Sequence, residues 1–318
     1  HWADPSTLEL LQLLVEQGAT ARLLLLYTGR PEFHAPWPSR THHTQITLNR
    51  LSTRDVRTMV GEVTAQKELS EETVATVVER TGGVPLFVEE LTRAVLESGD
   101  ARFSEIPVTL HDSLLARLDR LGSAKEAIQV GAVIGTEFSY HLLHAIYPVA
   151  ESDLERSLRT ASNAELIYVR GFAPDATYQF KHALIRDTAY EALLKSRRME
   201  LHRLVAQAID EKFPALKEAR PELLARHWAE GGEIEPAIAE WTRAGNITES
   251  RNAFKEALDS YQHALALVKL LPDSSEGGLR ELELGYSVDR MLQVIKGWAA
   301  PETIEARERT AVLAEKSG

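Results

Sequence analysis

Cysteine is absent from all 318 residues. Disulfides, thiolate zinc sites and a cysteine nucleophile are therefore excluded. Long apolar runs are missing too. Nothing approaches the ~18–20 residues of a membrane-spanning helix, and the longest obvious stretch is Leu23 to Tyr27. No membrane partner is expected. Positive charge is scarce, with 36 basic residues against 47 acidic ones and a formal net charge of −11. Such a surface suits neither non-specific nucleic-acid binding nor anionic membranes.

Common catalytic signatures are also lacking. There is no G-x-S-x-G elbow, no H-E-x-x-H, no EF-hand loop and no G-x-x-x-x-G-K-[ST] phosphate loop. His42-His43 sits in a proline-rich loop with no further ligand at metal spacing, so no metal site is expected. The opening His1-Trp2-Ala3-Asp4-Pro5 has neither the basic nor the apolar part of a secretory signal, and the first residue is not Met. The expectation is a cytoplasmic chain, processed or a fragment.

What is present is globular in character: 44% hydrophobic and 26% charged residues. At about 150 residues per domain, the length fits two domains or three small ones. The expected class is mainly α, with a partial α/β part first, then a winged helix, then a helical solenoid. The first part, residues 1–105, reads as follows. Asp4-Pro5 opens a helix whose apolar face is Leu8, Leu11, Leu14 and Val15 and whose stop is Gly18. Leu23 to Thr28 reads as a strand buried on both faces of a parallel sheet, and Gln45 to Leu48 as a second short strand. Ser52 with Asp55, and then Ser70, open helices. Gly82-Gly83 ends one helix and Pro85 opens the next.

Residues 106–214 carry helical patterns over Leu110–Leu121, Ala124–Ile134, Tyr140–Ile146 and Ser152 to about Glu165. Leu166–Arg170 and Thr177–Phe180 then alternate like two strands around a turn, and helix resumes at His182. Several helices followed by one hairpin is the pattern of a winged helix. In residues 215–318, Ala237, Trp241 and Ala244 are echoed by Ala257, Tyr261 and Ala264. Small residues with an aromatic between them let helices pack closely, as in a solenoid of tetratricopeptide type.

Three features carry chemistry. Arg30 follows the apolar run Leu23–Thr28. It is either a loop arginine in a surface ion pair or a cation able to meet a γ-phosphate. Gly83-Val84-Pro85 is either a glycine turn or part of a nucleotide pocket. His182, in Phe180-Lys181-His182-Ala183-Leu184, is either a capping histidine or a donor to a phosphate.

In order and spacing these features resemble the signal-transduction ATPases with numerous domains, the STAND branch of the AAA+ P-loop ATPases. The closest resemblance is to bacterial regulators often fused to class III adenylate or guanylate cyclases, protein kinases or helix-turn-helix activators. It covers essentially the whole chain. It implies that the Walker B strand leads into His1-Trp2-Ala3-Asp4, with Asp4 just after its acidic pair and the Walker A loop further upstream. It implies a sensor-1 role for Arg30, a G-x-P motif at Gly83 and Pro85, and contact of His182 with the ADP β-phosphate. The family's Met-His-Asp segment is altered here: Lys181 stands for the usual Met and Ala183 for the usual Asp.

The implied function is an ATP/ADP-gated switch, with Mg2+ in the intact parent. A protein or small-molecule inducer would act on the helical repeats, and the ATP form would self-associate. This chain alone is expected to hydrolyse no ATP. Two other readings stay open. One is a winged-helix DNA-binding regulator, although residues 101–200 hold 12 basic against 13 acidic residues and promise no positive face. The other is a nucleotide-free interaction scaffold.

Overall fold

A computed structural model describes residues 3–17, 22–30, 32–65, 69–98, 109–272 and 274–317. His1, Trp2, Gly18, Pro31 and the expected boundary at residues 105 and 106 lie outside them. The chain forms two compact units, residues 46–208 and residues 1–45 with 209–318.

The unit 46–208 begins with three helices, α2 (Thr53–Val63), α3 (Glu71–Thr81) and α4 (Pro85–Ser98). Local chemistry fixes their ends. Ser52 and Asp55 form a reciprocal capping box on α2. The Ser70 hydroxyl accepts the Thr73 amide at the start of α3. Gly82, with φ of 51°, closes α3 in the left-handed conformation. Val56, Val60, Val77, Val88 and Leu91 form the core between them.

The same unit continues with α5 (Leu110–Arg120), α6 (Ala124–Ile134), β1 (Glu137–Ser139), α7 (Tyr140–Ile146), α8 (Glu151–Asn163), β2 (Ile167–Arg170), β3 (Thr177–Phe180) and α9 (Ala183–Glu191). The hairpin expected from alternation is present. It is joined by the strand β1, giving an antiparallel sheet of order β1-β3-β2. Pairing runs Phe138 to Tyr178 and Val169 to Tyr178. Strand β1 has only three residues, too few to display a period of two.

The other unit holds α1 (Pro5–Gln17) and an array of helices: α11 (Pro214–Ala219), α12 (Pro221–Glu230), α13 (Ile234–Ser250), α14 (Phe254–Val268), α15 (Ser275–Lys296) and α16 (Pro301–Ser317). Helix α10 (Lys195–Lys212) runs from one unit into the other. From α12 onward each helix packs mainly on its neighbours in sequence, the mark of a solenoid. The echoed small residues do what their spacing implies. Ala237, Ala244, Ala257, Ala264 and Tyr261 are all buried. Gly245 lets α14 approach, since a Cβ there would lie 2.5 Å from the Tyr261 ring. Helix α1 is tied to this array: the Ser6 amide donates to Glu256 at 2.8 Å, and Lys255 pairs with Glu9 at 2.6 Å.

Two expected strands are corrected. Leu23–Thr28 and Gln45–Leu48 are irregular, not sheet. Leu24 is 91% exposed and Leu48 89%. A strand buried on both faces needs ladder partners and covering layers. Among the described residues the sheet β1-β3-β2 takes in neither segment, and there the runs have no strand to pair with. The α/β part expected near the start is therefore not formed among the described residues before residue 98.

Candidate functional site

Helix α4 starts from a backbone crossing. Gly83 adopts φ of 75° and is buried against the chain that enters α2. Its carbonyl accepts the Leu51 amide at 2.8 Å. Pro85 follows as the exposed first residue of α4, where a missing N–H costs nothing. One turn on, Glu89 and Glu90 leave the helix together with Arg93.

These three side chains meet groups from far along the chain. Lys181 Nζ lies 2.6 Å from Glu89 and 3.1 Å from Glu165. Arg93 bonds Glu165 at 2.8 Å and Glu89 at 3.3 Å. Beneath them, Arg117 of α5 pairs with Glu90 and also donates to the carbonyl of Ala164. Glu90 is fully buried and Arg117 nearly so. Three carboxylates and three cations thus join α4 to the turn between α8 and β2 and to the end of β3. Glu165 holds a left-handed φ of 54°, a conformation that costs a non-glycine residue about 1–2 kcal/mol. Its carboxylate is the shared partner of Arg93 and Lys181.

Burial would push Glu89 and Glu165 up, but hydrogen bonds and charge from Lys181 and Arg93 outweigh it and hold both below their usual range. Burial opposes the charge on Lys181 as well; its bonds to Glu89 and Glu165 prevail and raise it. The signs give a pH window. Depressed carboxylates stabilise the fold above their ordinary value of 4.5, and this is lost as pH falls through their folded pKa. A raised lysine stabilises below its ordinary 10.5 and loses this as pH climbs through its folded pKa. Lys181→Met should cost about 1–2 kcal/mol at neutral pH, the range of a half-buried pair. It should also flatten the acid limb of stability below about pH 4.5. Denaturant unfolding across pH checks both; an unchanged acid limb would separate Lys181 from the two carboxylates.

His182 follows Lys181 and occupies the N-cap of α9 with φ of −140°, yet its ring makes no capping bond. It is half-buried. Burial lowers its pKa, the Lys181 charge lowers it further, and Glu89 opposes. The imidazole is therefore mostly neutral near pH 7, with one nitrogen a donor and the other an acceptor.

Of the residues expected at the site, Gly83, Pro85 and His182 lie in the unit 46–208, and Arg30 and Asp4 in the other unit. Asp4 caps α1. Its carboxylate takes the Thr7 amide at 2.8 Å and the Thr7 hydroxyl at 2.7 Å, bonds that lower its pKa. Arg30 is exposed, and its carbonyl accepts the Phe33 amide at 2.9 Å. Glu89, Arg93 and Glu165 escaped sequence reasoning. The local signal available was the helical i, i+4 spacing of Glu89 and Arg93.

The two arginines of the basic cluster Lys195–Arg198 have partners within their own unit. Arg197 pairs with Glu200 at 2.8 Å and Glu126 at 3.4 Å. The Arg198 guanidinium lies 5.0 Å over the Tyr190 ring, whose hydroxyl is 3.0 Å from His202.

No protein-family model matches the chain. An uncharacterized protein of Rhizobium meliloti (strain 1021) is 31% identical over 290 residues, 86% of this chain. The chain spans 28% of that relative's length. Among solved structures, it is similar to a Signal Transduction ATPase with Numerous Domains (STAND) protein with a tetratricopeptide repeat sensor from Pyrococcus horikoshii. The TM-score is 0.31 at 12% identity, over 84% of this chain and 54% of that one. That overlap is too loose to fix a common fold.

Proposed function

We propose that the chain is the regulatory part of a nucleotide-gated switch. In this reading α2–α4 are the helical lid of a STAND-type ATPase, α6 to β3 a winged helix, and α12–α16 a tetratricopeptide-like sensor. The order helix–strand–helix–helix–strand–strand, with the sheet β1-β3-β2, supports the winged-helix assignment. One observation carries the functional reading. Lys181, next to His182, grips Glu89 on the helix that Gly83 and Pro85 open. The two motifs that the resemblance assigns to ADP are therefore tied together within one compact unit.

The residues fit a nucleoside diphosphate in part. The His182 side chain makes no capping bond to α9, and Pro85 is exposed. Bound ADP would supply a diphosphate to be hydrogen-bonded by His182 and a purine to lie against Pro85; Arg30 is assigned to the γ-phosphate of ATP. Asp4 accepts from the Thr7 amide and hydroxyl, which accounts for it as the cap of α1. A pure preparation of these 318 residues should turn over no ATP; turnover lost on Arg30→Ala would refute that. In the intact protein, His182→Ala should weaken ADP binding and change the ADP dependence of output. Unchanged ADP affinity together with unchanged output would sink the switch.

The Lys181–Glu89 contact also favours a second reading, an interaction scaffold in which direct ion pairs fix α4 without nucleotide. It predicts that ADP leaves the thermal midpoint of the intact protein unmoved.

A further inference from the structure

Helix α4 is held in two different ways. Its apolar side, Phe87, Val88 and Leu91, shares a core with Val56 and Val60 of α2 and Val77 of α3. Its charged side reaches the α8–β2 turn and the end of β3 through Arg93 and Glu89. Arg93 grips Glu165 with both terminal guanidinium nitrogens, at 2.8 and 2.7 Å. Glu89 holds Lys181 at 2.6 Å. The join is imperfectly matched. Arg93 Nε, Arg117 Nε and Glu90 Oε1 are buried with no hydrogen-bond partner among the described residues, a deficit that hydration would relieve. Glu165 keeps its left-handed φ of 54°, the kind of strain that gathers at switch regions. Its side chain is 44% exposed, against 12% for Lys181, so solvent reaches the cluster from one edge. Helix α5 packs on α4 and also on α6 and α9. Its Arg117 pairs with Glu90, a contact that survives if α4 leaves Glu165 and Lys181.

We propose that Glu89, Arg93, Glu165 and Lys181 form a latch that closes α4 on the hairpin β2–β3 and opens about α5 with both parts still folded. Parted ion pairs are rehydrated, whereas parted apolar faces are not, so a join of this kind opens short of global unfolding. The latch stands between the two motifs assigned to ADP. Lys181 precedes His182, and Glu89 lies one turn after Pro85 on α4. Its regulatory meaning rests on the switch reading above: an open latch parts Pro85 from His182 and lowers the share of protein competent to bind ADP.

The chain has no cysteine. Ala75→Cys on α3 and Ser152→Cys on α8, both exposed, therefore take spin labels at two places alone. Pulsed dipolar spectroscopy of the 318-residue chain, without nucleotide, reads the distance between them. Wild type should give one principal distance. Lys181→Glu sets three carboxylates around Arg93 and should add a second distance, with the open share raised by roughly tenfold, as loss of a half-buried pair implies. Glu89→Lys combined with Lys181→Glu puts two cations on α4 opposite two carboxylates and should restore the wild-type distance. Circular dichroism checks that each variant folds. A folded Lys181→Glu with the wild-type distance alone would overturn the latch, as would a double variant no more closed than the single one. If Lys181→Glu does not fold, Lys181→Met decides: a second distance supports the latch, and its absence makes the cluster a fixed brace. The two ideas fail separately. If the distances respond while His182→Ala leaves ADP binding and output of the intact protein unchanged, the latch stands and the switch reading falls. If they do not respond while His182→Ala weakens ADP binding, only the latch falls.

Discussion

Arg117→Leu should destabilise the unit 46–208 by about 3–5 kcal/mol, the usual cost of stripping one partner from a buried ion pair. Glu90 is 0% exposed and Arg117 3%, so water cannot replace the lost cation. The abandoned carboxyl would respond by taking a proton, because burial disfavours its charged form. Its folded pKa would then sit above its unfolded one. The damage would be fully present at neutral pH and shrink as pH falls. That slope is opposite in sign to the one Glu89 and Glu165 impose on the wild type. Removing both charges with Glu90→Leu and Arg117→Leu should recover most of the loss, since apolar replacement of a whole buried pair is often neutral or better. Denaturant unfolding of the two variants decides it. A single variant that costs under about 1 kcal/mol, or a double variant no better than the single, would mean that the pair is not what holds α4 to α5.

The loss should also spread. Arg117 donates to the carbonyl of Ala164, the residue before Glu165. Glu165 in turn holds Arg93 and Lys181. Arg117→Leu and Lys181→Met should therefore be non-additive, as expected of residues in one connected network.

These contacts mark the limit of what the sequence made legible. Helix ends were readable because their causes are local. Ser52 and Asp55, Ser70, and Gly82 each act within a few residues, and each sits at the terminus its chemistry implies. The hairpin β2–β3 was readable from alternation, and the echo of Ala237 to Ala244 in Ala257 to Ala264 from repetition. Leu23–Thr28 misled because an apolar run reports a wish for burial, not the presence of a sheet to satisfy it. Lys181 and Glu89 are 92 residues apart, and Arg93 and Glu165 are 72 apart. No local spacing foretells such pairs. Beyond the i, i+4 spacing of Glu89 and Arg93, the hint was Lys181 standing where the STAND resemblance expects Met. A lysine at 181 offers three donors to the two carboxylates, which an uncharged side chain could not.

Gly83→Ala should cost about 3 kcal/mol, combining a left-handed backbone for a residue with a Cβ and an overpacked contact. The clash is with backbone: a Cβ at Gly83 would lie 2.3 Å from the Leu51 carbonyl oxygen. That oxygen immediately precedes the Ser52 capping box, so moving it disturbs the start of α2. Gly82 is the control. Its φ is 51°, but the nearest atom to an added Cβ is Arg50 Nη1 at 3.2 Å, the end of a flexible side chain. Gly82→Ala should therefore cost only the conformational part, about 1 kcal/mol. Equal costs at the two positions would remove the Leu51 approach as the reason for Gly83. The distinction matters for function, because Gly83 sits in the motif assigned to nucleotide. If its glycine is demanded by Leu51, a drop in ADP binding by Gly83→Ala would report a deformed lid, not a lost contact. Pro85→Ala is the cleaner probe. Pro85 is exposed at the first turn of α4, where alanine is well tolerated and stability should change by less than about 1 kcal/mol. A Pro85→Ala protein that unfolds like wild type yet binds ADP more weakly would support the nucleotide reading. One that does neither would leave α4 as a structural helix whose motif serves the chain crossing alone.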